Sequence, residues 1–403
     1  MKNCFVSADL MIPVTDHMER WAVIACDQFT SDRAYWKTVE EQVGDHPSAY
    51  HLMLPEAYLE GSNDERIRMI HQKMDSCLSA EVLRVWPDSF VYVERTLQDG
   101  SIRQGIVGVM DLEAYSFTKD PSALLLATEQ TVLERIPPRM AIREGAAMEL
   151  SHVIVFCNDP MDRIMSCVGQ MKDRLPKAYD FDLMQGGGHI SGWLLCDDHR
   201  SKLQQVLDDY VSGCNGAACY LVADGNHSLA TAKQCYEKLK AKDAAAAVRS
   251  PARFAMVELE NIHSASISFE PIHRIITQVD VQKFFMDLQS ICVEGGFPIR
   301  WVSGQQQGTV QLRVPEGKLP LAVFQDYLDS WLCDNEAQID YIHDDDALIC
   351  LAQENCSVGF FMPTIDKDQM FSYVVSGSIL PRKAFSLGHA AEKRYYLEGR
   401  KII

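Results

Sequence analysis

The 403-residue chain is 47% apolar and carries a formal net charge of −18, with a sequence pI of about 5.1. That length supports two or three packed units, and the acidic balance excludes a basic nucleic-acid footprint and disfavours anionic membrane surfaces. No apolar run reaches the roughly 18 residues of a membrane span, and Met1-Lys2-Asn3-Cys4-Phe5 lacks the apolar segment of a signal peptide, so a cytoplasmic protein is expected. The thirteen cysteines include no C-x-x-C pair. The spacings Cys214/Cys219 and Cys350/Cys356 do not suit zinc, so reduced thiols are expected, with no disulfide and no cysteine-bound metal.

In chain order, the apolar run Trp21 to Cys26 reads as a buried strand ending in Asp27. A helix follows from Ser31 or Asp32 to about Val43, with Trp36 and Val39 on one face. Ser62-Asn63-Asp64-Glu65 forms a capping box that opens a helix to about Ser79. Phe90 to Arg95 and Ser101 to Val109 alternate around Asp99-Gly100, the pattern of a β-hairpin. Thr128-Glu129-Gln130-Thr131 precedes a helical turn expected to stop at Pro137-Pro138, before Arg139 and Arg143. Ser151 to Cys157 reads as a strand, and Asp159-Pro160 as the start of a helix to about Arg174. Tyr179 to Met184 leads to Gly186-Gly187-Gly188-His189, and a helix spans Asp198 to Val211.

The apolar run Ala217 to Ala223 ends in Asp224-Gly225, a tight-turn pair. A helix from Ser228 to about Lys242 comes next, rich in good helix formers. Asp224, Asn226 and His227 are thereby placed at a strand end beside a helix N-terminus, where α/β sheets bind ligands and free N–H groups favour anions. The simpler alternative is a corner whose Asp and Asn only stabilise the turn. Ala252 to Glu260 is a strand. From about Val279 the pattern changes to helix (281–290), strand (309–314), helix (321–333) and strand (358–362). Residues 386–400 read as a basic-ended helix. The expectation is an α/β fold with a mixed sheet: a main domain, 1–278, carrying the site motifs, and a smaller α/β subdomain with the tail, 279–403.

Phosphate-loop, dinucleotide, zincin and nucleophile-elbow motifs are absent. Gly187 and Gly188 let backbone approach a ligand closely, with His189 as a titratable group beside them; a plain hairpin loop explains them equally well. Glu129 with Arg139 and Arg143 would provide a base and an oxyanion clamp, or merely a surface ion-pair cluster. His273 fits a hydrogen-bonded core histidine as well as a site. His343-Asp344-Asp345-Asp346 favours a helix N-terminus over a metal site.

Val222-Ala223-Asp224-Gly225-Asn226-His227-Ser228 resembles the bacterial and archaeal family known as domain of unknown function 1015. So do Trp21 to Gln28, Arg135-Ile136-Pro137-Pro138-Arg139, Tyr179 to His189, Leu380-Pro381-Arg382-Lys383 and Tyr396 to Ile402. A more distant similarity is to free-serine kinases of the ParB/sulfiredoxin type. Many relatives carry Asp-Gly-His-His-Arg at this point, which in those kinases lies at the phosphate site. Here Asn226 stands for the first His and Ser228 for the Arg, and Leu126 stands where many relatives have Arg. The resemblance implies a ParB/sulfiredoxin-like strand–turn–helix site and phosphoryl chemistry on a small amino acid, serine or phosphoserine. On that reading Glu129 is the base, Asp224 holds Mg²⁺ or orients phosphate, and His227 neutralises phosphate charge. Arg139 or Arg143 grips the substrate carboxylate, with Asp27, Asn226, His189, Gly187 and Gly188 lining the site and a nucleotide as the further ligand. A nucleotide- or metabolite-binding regulatory module, and a hydrolase of another small anion, are the alternatives.

Overall fold

The computed structural model describes residues 2–59, 63–118, 120, 122–131 and 136–403. Two compact units emerge: residues 1–267 together with 389–403, and residues 268–388. The C-terminal segment thus belongs to the larger unit.

The larger unit is built on a mixed sheet of thirteen strands among the described residues. Its centre is the hairpin Leu83–Thr96 and Ile102–Asp111, which pairs antiparallel around a Gly100 at φ 83°. Strict alternation in these strands gives the sheet two buried faces. Phe90, Tyr92 and Ile106 enter one core, with Leu203, Leu229 and Tyr236 of the covering helices. Val91, Val93 and Val107 enter the other, against Trp21 and Trp36. Outward from the hairpin on one side run Phe254–Asn261, Ile154–Cys157, Tyr220–Asp224 and Leu125–Ala127. The smaller unit carries a five-stranded antiparallel sheet, ordered 306–312, 292–303, 358–361, 273–277, 338–342. Helices Val281–Leu288, Pro320–Cys333, Asp345–Leu351 and Lys367–Val375 complete it.

Several local expectations are corrected. Trp21 ends a short helix, Met18–Trp21, and only Val23–Ile24 are strand. Pro137-Pro138 do not stop a helix: they lie within the described helix Ile136–Arg143, which continues past them. The turn expected before it falls on 132–135, outside the described residues, as does Ser62 of the capping box; the helix after it is Asp64–Ser79. Asp159 holds the Ile164 N–H at 2.9 Å and Asp162 is left-handed at φ 50°, which delays the next helix to Arg163–Gly169. Residues 386–400 hold no α-helix, only the 3-10 turn Ala390–Glu392. They form strands Tyr395–Tyr396 and Gly399–Lys401, pairing with Val23–Ile24 and with Met11 and Met148–Leu150.

Candidate active site

The strand Tyr220–Asp224 sets the geometry. On one side Ala127 pairs with Val222 in parallel, so Thr128 and Glu129 leave their strand at the same end as Asp224. On the other side Ile154 stands opposite Asp224 in an antiparallel pair, so His152 enters at that same end. Gly225 turns the chain at φ 77° into the site helix, Asn226–Lys242. A Cβ there would lie 3.0 Å from Val153 Cγ2 and 3.1 Å from its Cα, so both the dihedral and the close approach require glycine. The Thr128 hydroxyl donates to the Val222 carbonyl at 2.7 Å and accepts from Asn226 Nδ2 at 3.3 Å. Asn226 Oδ1 is buried with no hydrogen-bond partner among the described residues.

His152 is the hub. Its side chain is 4% exposed, and Nε2 lies 3.5 Å from Asp27 Oδ2 and 3.3 Å from Ser228 Oγ. Nδ1 lies 2.7 Å from the Tyr396 hydroxyl, which itself donates to Cys26 Sγ at 3.1 Å. The ring therefore bridges the Tyr396 hydroxyl at Nδ1 and Asp27 with Ser228 at Nε2, an arrangement in which the carboxylate favours the protonated ring. Burial alone would lower the His152 pKa, but Asp27, Asp224 and Glu56 outweigh it and raise it above the ordinary value. Burial likewise opposes ionisation of Asp27, yet His152, Gln28 and Lys393 hold its carboxyl below the usual range. The Cys26 thiol is pushed up by burial and by Asp27 and Glu56, so it is no thiolate nucleophile.

The C-terminal segment provides two of these groups. Lys393 Nζ lies 3.3 Å from Asp224 Oδ2, while Asp224 Oδ1 accepts the Gly225 N–H at 2.9 Å. Buried Arg95 and Arg103 fix the segment by donating to the carbonyls of Ala391, Glu392 and Lys393. Arg394 is clasped by Glu258 at 2.6 Å and Glu398 at 2.7 Å. Beside the hub, the short helix Ile136–Arg143 points Arg139 at Glu56 and Arg143 at Glu149. Burial raises the Glu56 pKa, with Arg139 partly opposing. A cleft of about 140 Å³ has Glu56, Arg139, His152, Ser228 and Tyr396 at its polar side, while Asp27, Glu129, Asp224, Asn226, His227 and Lys393 stand behind its lining.

A family model described as protein of unknown function (DUF1015) matches residues 11–354. The chain belongs to this family. No curated protein matches it. Among solved structures, a free serine kinase in complex with AMP aligns at TM-score 0.40 and 10% identity, covering 72% of this chain and 90% of that one. A conserved hypothetical protein from Pyrococcus furiosus aligns at TM-score 0.38 and 10% identity, over 73% and 95%. SbnI from Staphylococcus aureus, with a C-terminal truncation, aligns at 0.37 and 11%, over 70% and 83%.

In this member of the family, Asp27, Arg139, Arg143, Asp224 and Asn226 gather around the strand end and the helix packed on it. Glu129 is half-buried and leaves the sheet at the same end. His227 lies in the first turn of the site helix, its carbonyl accepting from Thr231 at 2.7 Å. Ser228, at the position of the relatives' Arg, faces His152. The glycine loop and His189 are engaged differently. His189 bridges Asp182 at 2.7 Å and Asp180 at 3.0 Å with 44% of its side chain exposed, and both carboxylates raise its pKa. The Gly187 carbonyl accepts from Arg95 at 2.8 Å, and a Cβ on Gly188 would meet the Thr96 carbonyl. Close packing accounts for both glycines, which do not line the cleft, and neither does His189.

His273 belongs to the smaller unit. It accepts the Met362 N–H at Nδ1 and faces Asp345 with Nε2 at 2.6 Å, a structural role. Asp344 caps the helix that follows it. The residues around Asp224 do not fit a protein-held Mg²⁺: both its oxygens are engaged, and Lys393 occupies the place beside it. Among the described residues no group of three His, Cys, Asp or Glu could hold a metal ion, and no helix is long and apolar enough to cross a membrane. Sequence reasoning missed His152, Tyr396, Lys393 and Glu56. The signal for His152 was a polar Ser-His pair at the head of an apolar run; Tyr396 lay inside a family motif taken as helix.

Proposed function

We propose that this cleft binds a small anionic metabolite and catalyses phosphoryl transfer to or from its hydroxyl, with a nucleotide as the phosphate-bearing partner. The observation that carries the reading is the convergence of a buried histidine, His152, paired with Asp27, with Arg139 and the first turn of the site helix on one cleft. Phosphoryl transfer asks little covalent work of a protein; it needs alignment and neutralised charge. His152, Arg139 and the helix N–H groups would take the phosphoryl oxygens. Glu129 would accept the proton of the attacking hydroxyl as its oxygen bonds to phosphorus and the donor oxygen departs. Lys393, paired with Asp224, would neutralise that carboxylate so that it does not repel the phosphoryl group. Serine is the simplest acceptor of this class.

The test is calorimetry with AMP, ADP, serine and O-phosphoserine, followed by phosphorus NMR of mixtures of those that bind. Binding of a phosphate compound that weakens at least tenfold in His152→Ala, with a new phosphorus resonance on mixing, supports the reading. Binding without turnover would instead favour a regulatory module, which Ser228 in the place of a fixed Arg charge also favours. Failure of every phosphate compound to bind would overturn phosphoryl chemistry here.

A further inference from the structure

The cleft does not end at its polar groups. Behind Arg143 it continues between Met53, Met74, Ile142, Met148, Leu229 and Met256, side chains with no hydrogen-bond donor or strong acceptor. Serine and phosphoserine have nothing to place there. A dry cavity of about 150 Å³ holds a benzene; the whole cleft, polar and apolar parts together, is about 140 Å³, so the apolar end takes a short side chain of a few carbons. Flexible, polarisable methionines adapt to either a branched aliphatic or an aromatic shape.

At the junction of the two regions stands an unmatched charge. Glu149 is buried and receives two arginines, Arg143 and Arg400, the latter at 2.6 Å, together with the Met256 N–H at 2.9 Å. Burial would raise its pKa, but the two guanidinium groups overcome this and hold it ionised. One carboxylate against two arginines leaves an excess positive charge. Arg400 spends its other nitrogen on the carbonyls of Pro251 and Phe254. Arg143 has no such outlet: its Nη2 is buried without a hydrogen-bond partner among the described residues. A buried N–H of a charged group left unpaired is costly, and a ligand carboxylate would pair it.

We propose that the substrate of the cleft is a small hydrophobic hydroxy acid whose carboxylate accepts from Arg143 and whose aliphatic or aromatic side chain fills the methionine-lined end. This deepens the functional reading above, from which it takes the polar half of the site, and it makes serine too small.

The experiment is calorimetry of the full chain with phenylacetate, 4-methylpentanoate, benzyl alcohol, serine, O-phosphoserine and ADP. It is run on wild type, Arg143→Met and Ile142→Trp, with thermal unfolding as the check that each variant folds. The expected result is that both carboxylates bind wild type and weaken at least tenfold in Arg143→Met. Ile142→Trp, which fills the apolar end, should exclude them while leaving ADP binding unchanged. Should Arg143→Met fail to fold, Ile142→Trp alone still decides the apolar element, and carboxylate against alcohol on wild type decides the charge. Benzyl alcohol binding as tightly as phenylacetate would overturn the carboxylate element. Binding of phosphoserine and ADP without the hydrophobic carboxylates would overturn this proposal and leave phosphoryl chemistry standing; the converse would leave this proposal standing and overturn phosphoryl chemistry.

Discussion

The Tyr396 hydroxyl lies 2.7 Å from His152 Nδ1 across 244 residues of sequence. The same hydroxyl donates to Cys26 and its ring meets the imidazole edge-on, centroids 5.4 Å apart. The C-terminal segment is therefore part of the site rather than an appendage to it. Removing the hydroxyl with Tyr396→Phe should leave a buried imidazole nitrogen without that partner, a loss of about 1–3 kcal/mol. Urea unfolding measures it, and a change below about 0.5 kcal/mol would mean that the hydroxyl does not order His152.

Gly225 and Gly100 are both left-handed, at φ 77° and 83°, yet only Gly225 is crowded, by Val153. Asparagine tolerates such dihedrals, so substitution by Asn separates crowding from backbone preference. Gly100→Asn should cost less than about 1 kcal/mol, whereas Gly225→Asn should cost roughly 1–3 kcal/mol more because its Cβ displaces Val153. Equal unfolding midpoints for the two variants would show that the strand end can yield.

These relationships explain what could be foreseen from the residues. Local alternation in Phe90 to Arg95 marked the hairpin, and Asp224-Gly225 before a helix-forming run marked the corner, because period and turn chemistry are properties of neighbouring residues. His152 could not be recognised that way. Its place depends on the register that sets Ile154 opposite Asp224, a pairing made only when distant strands meet. Pro137-Pro138 fits a helix end as well as a helix start. The charged tail matched a helical composition, but its strands exist because Val23–Ile24 and Met11 offer edges to pair with; tertiary context overrode propensity.

The His152–Asp27 pair carries a pH signature. The folded pKa of His152 is raised, so its contribution is full below the unfolded imidazole value of 6.5 and is lost as pH climbs through the folded value. Asp27 is depressed, so its contribution is present above the unfolded 3.8 and is lost only as acid reaches its lowered folded value. The stability difference between wild type and His152→Asn should therefore be larger near about pH 5.5 than near about pH 9. Chemical unfolding at the two values provides the comparison, and a difference that grows with pH would contradict a raised His152 pKa.

Asp224 and Lys393 are both largely buried, with side chains 18% and 9% exposed, and meet at 3.3 Å. Breaking such a pair from one side strands a charge away from water, whereas removing both members removes the liability as well. Asp224→Asn and Lys393→Met should each destabilise by roughly 1–3 kcal/mol, and the double variant by clearly less than their sum. The same cycle bears on Mg²⁺. If Lys393 provides the charge beside Asp224, phosphate-ligand affinity in wild type should be the same in EDTA and in excess Mg²⁺, while Lys393→Met should weaken it in both. Calorimetry at fixed salt reads these affinities directly. Binding that needs Mg²⁺ in wild type would mean that Lys393 swings away and Asp224 turns to a metal, reversing the charge assignment of the site.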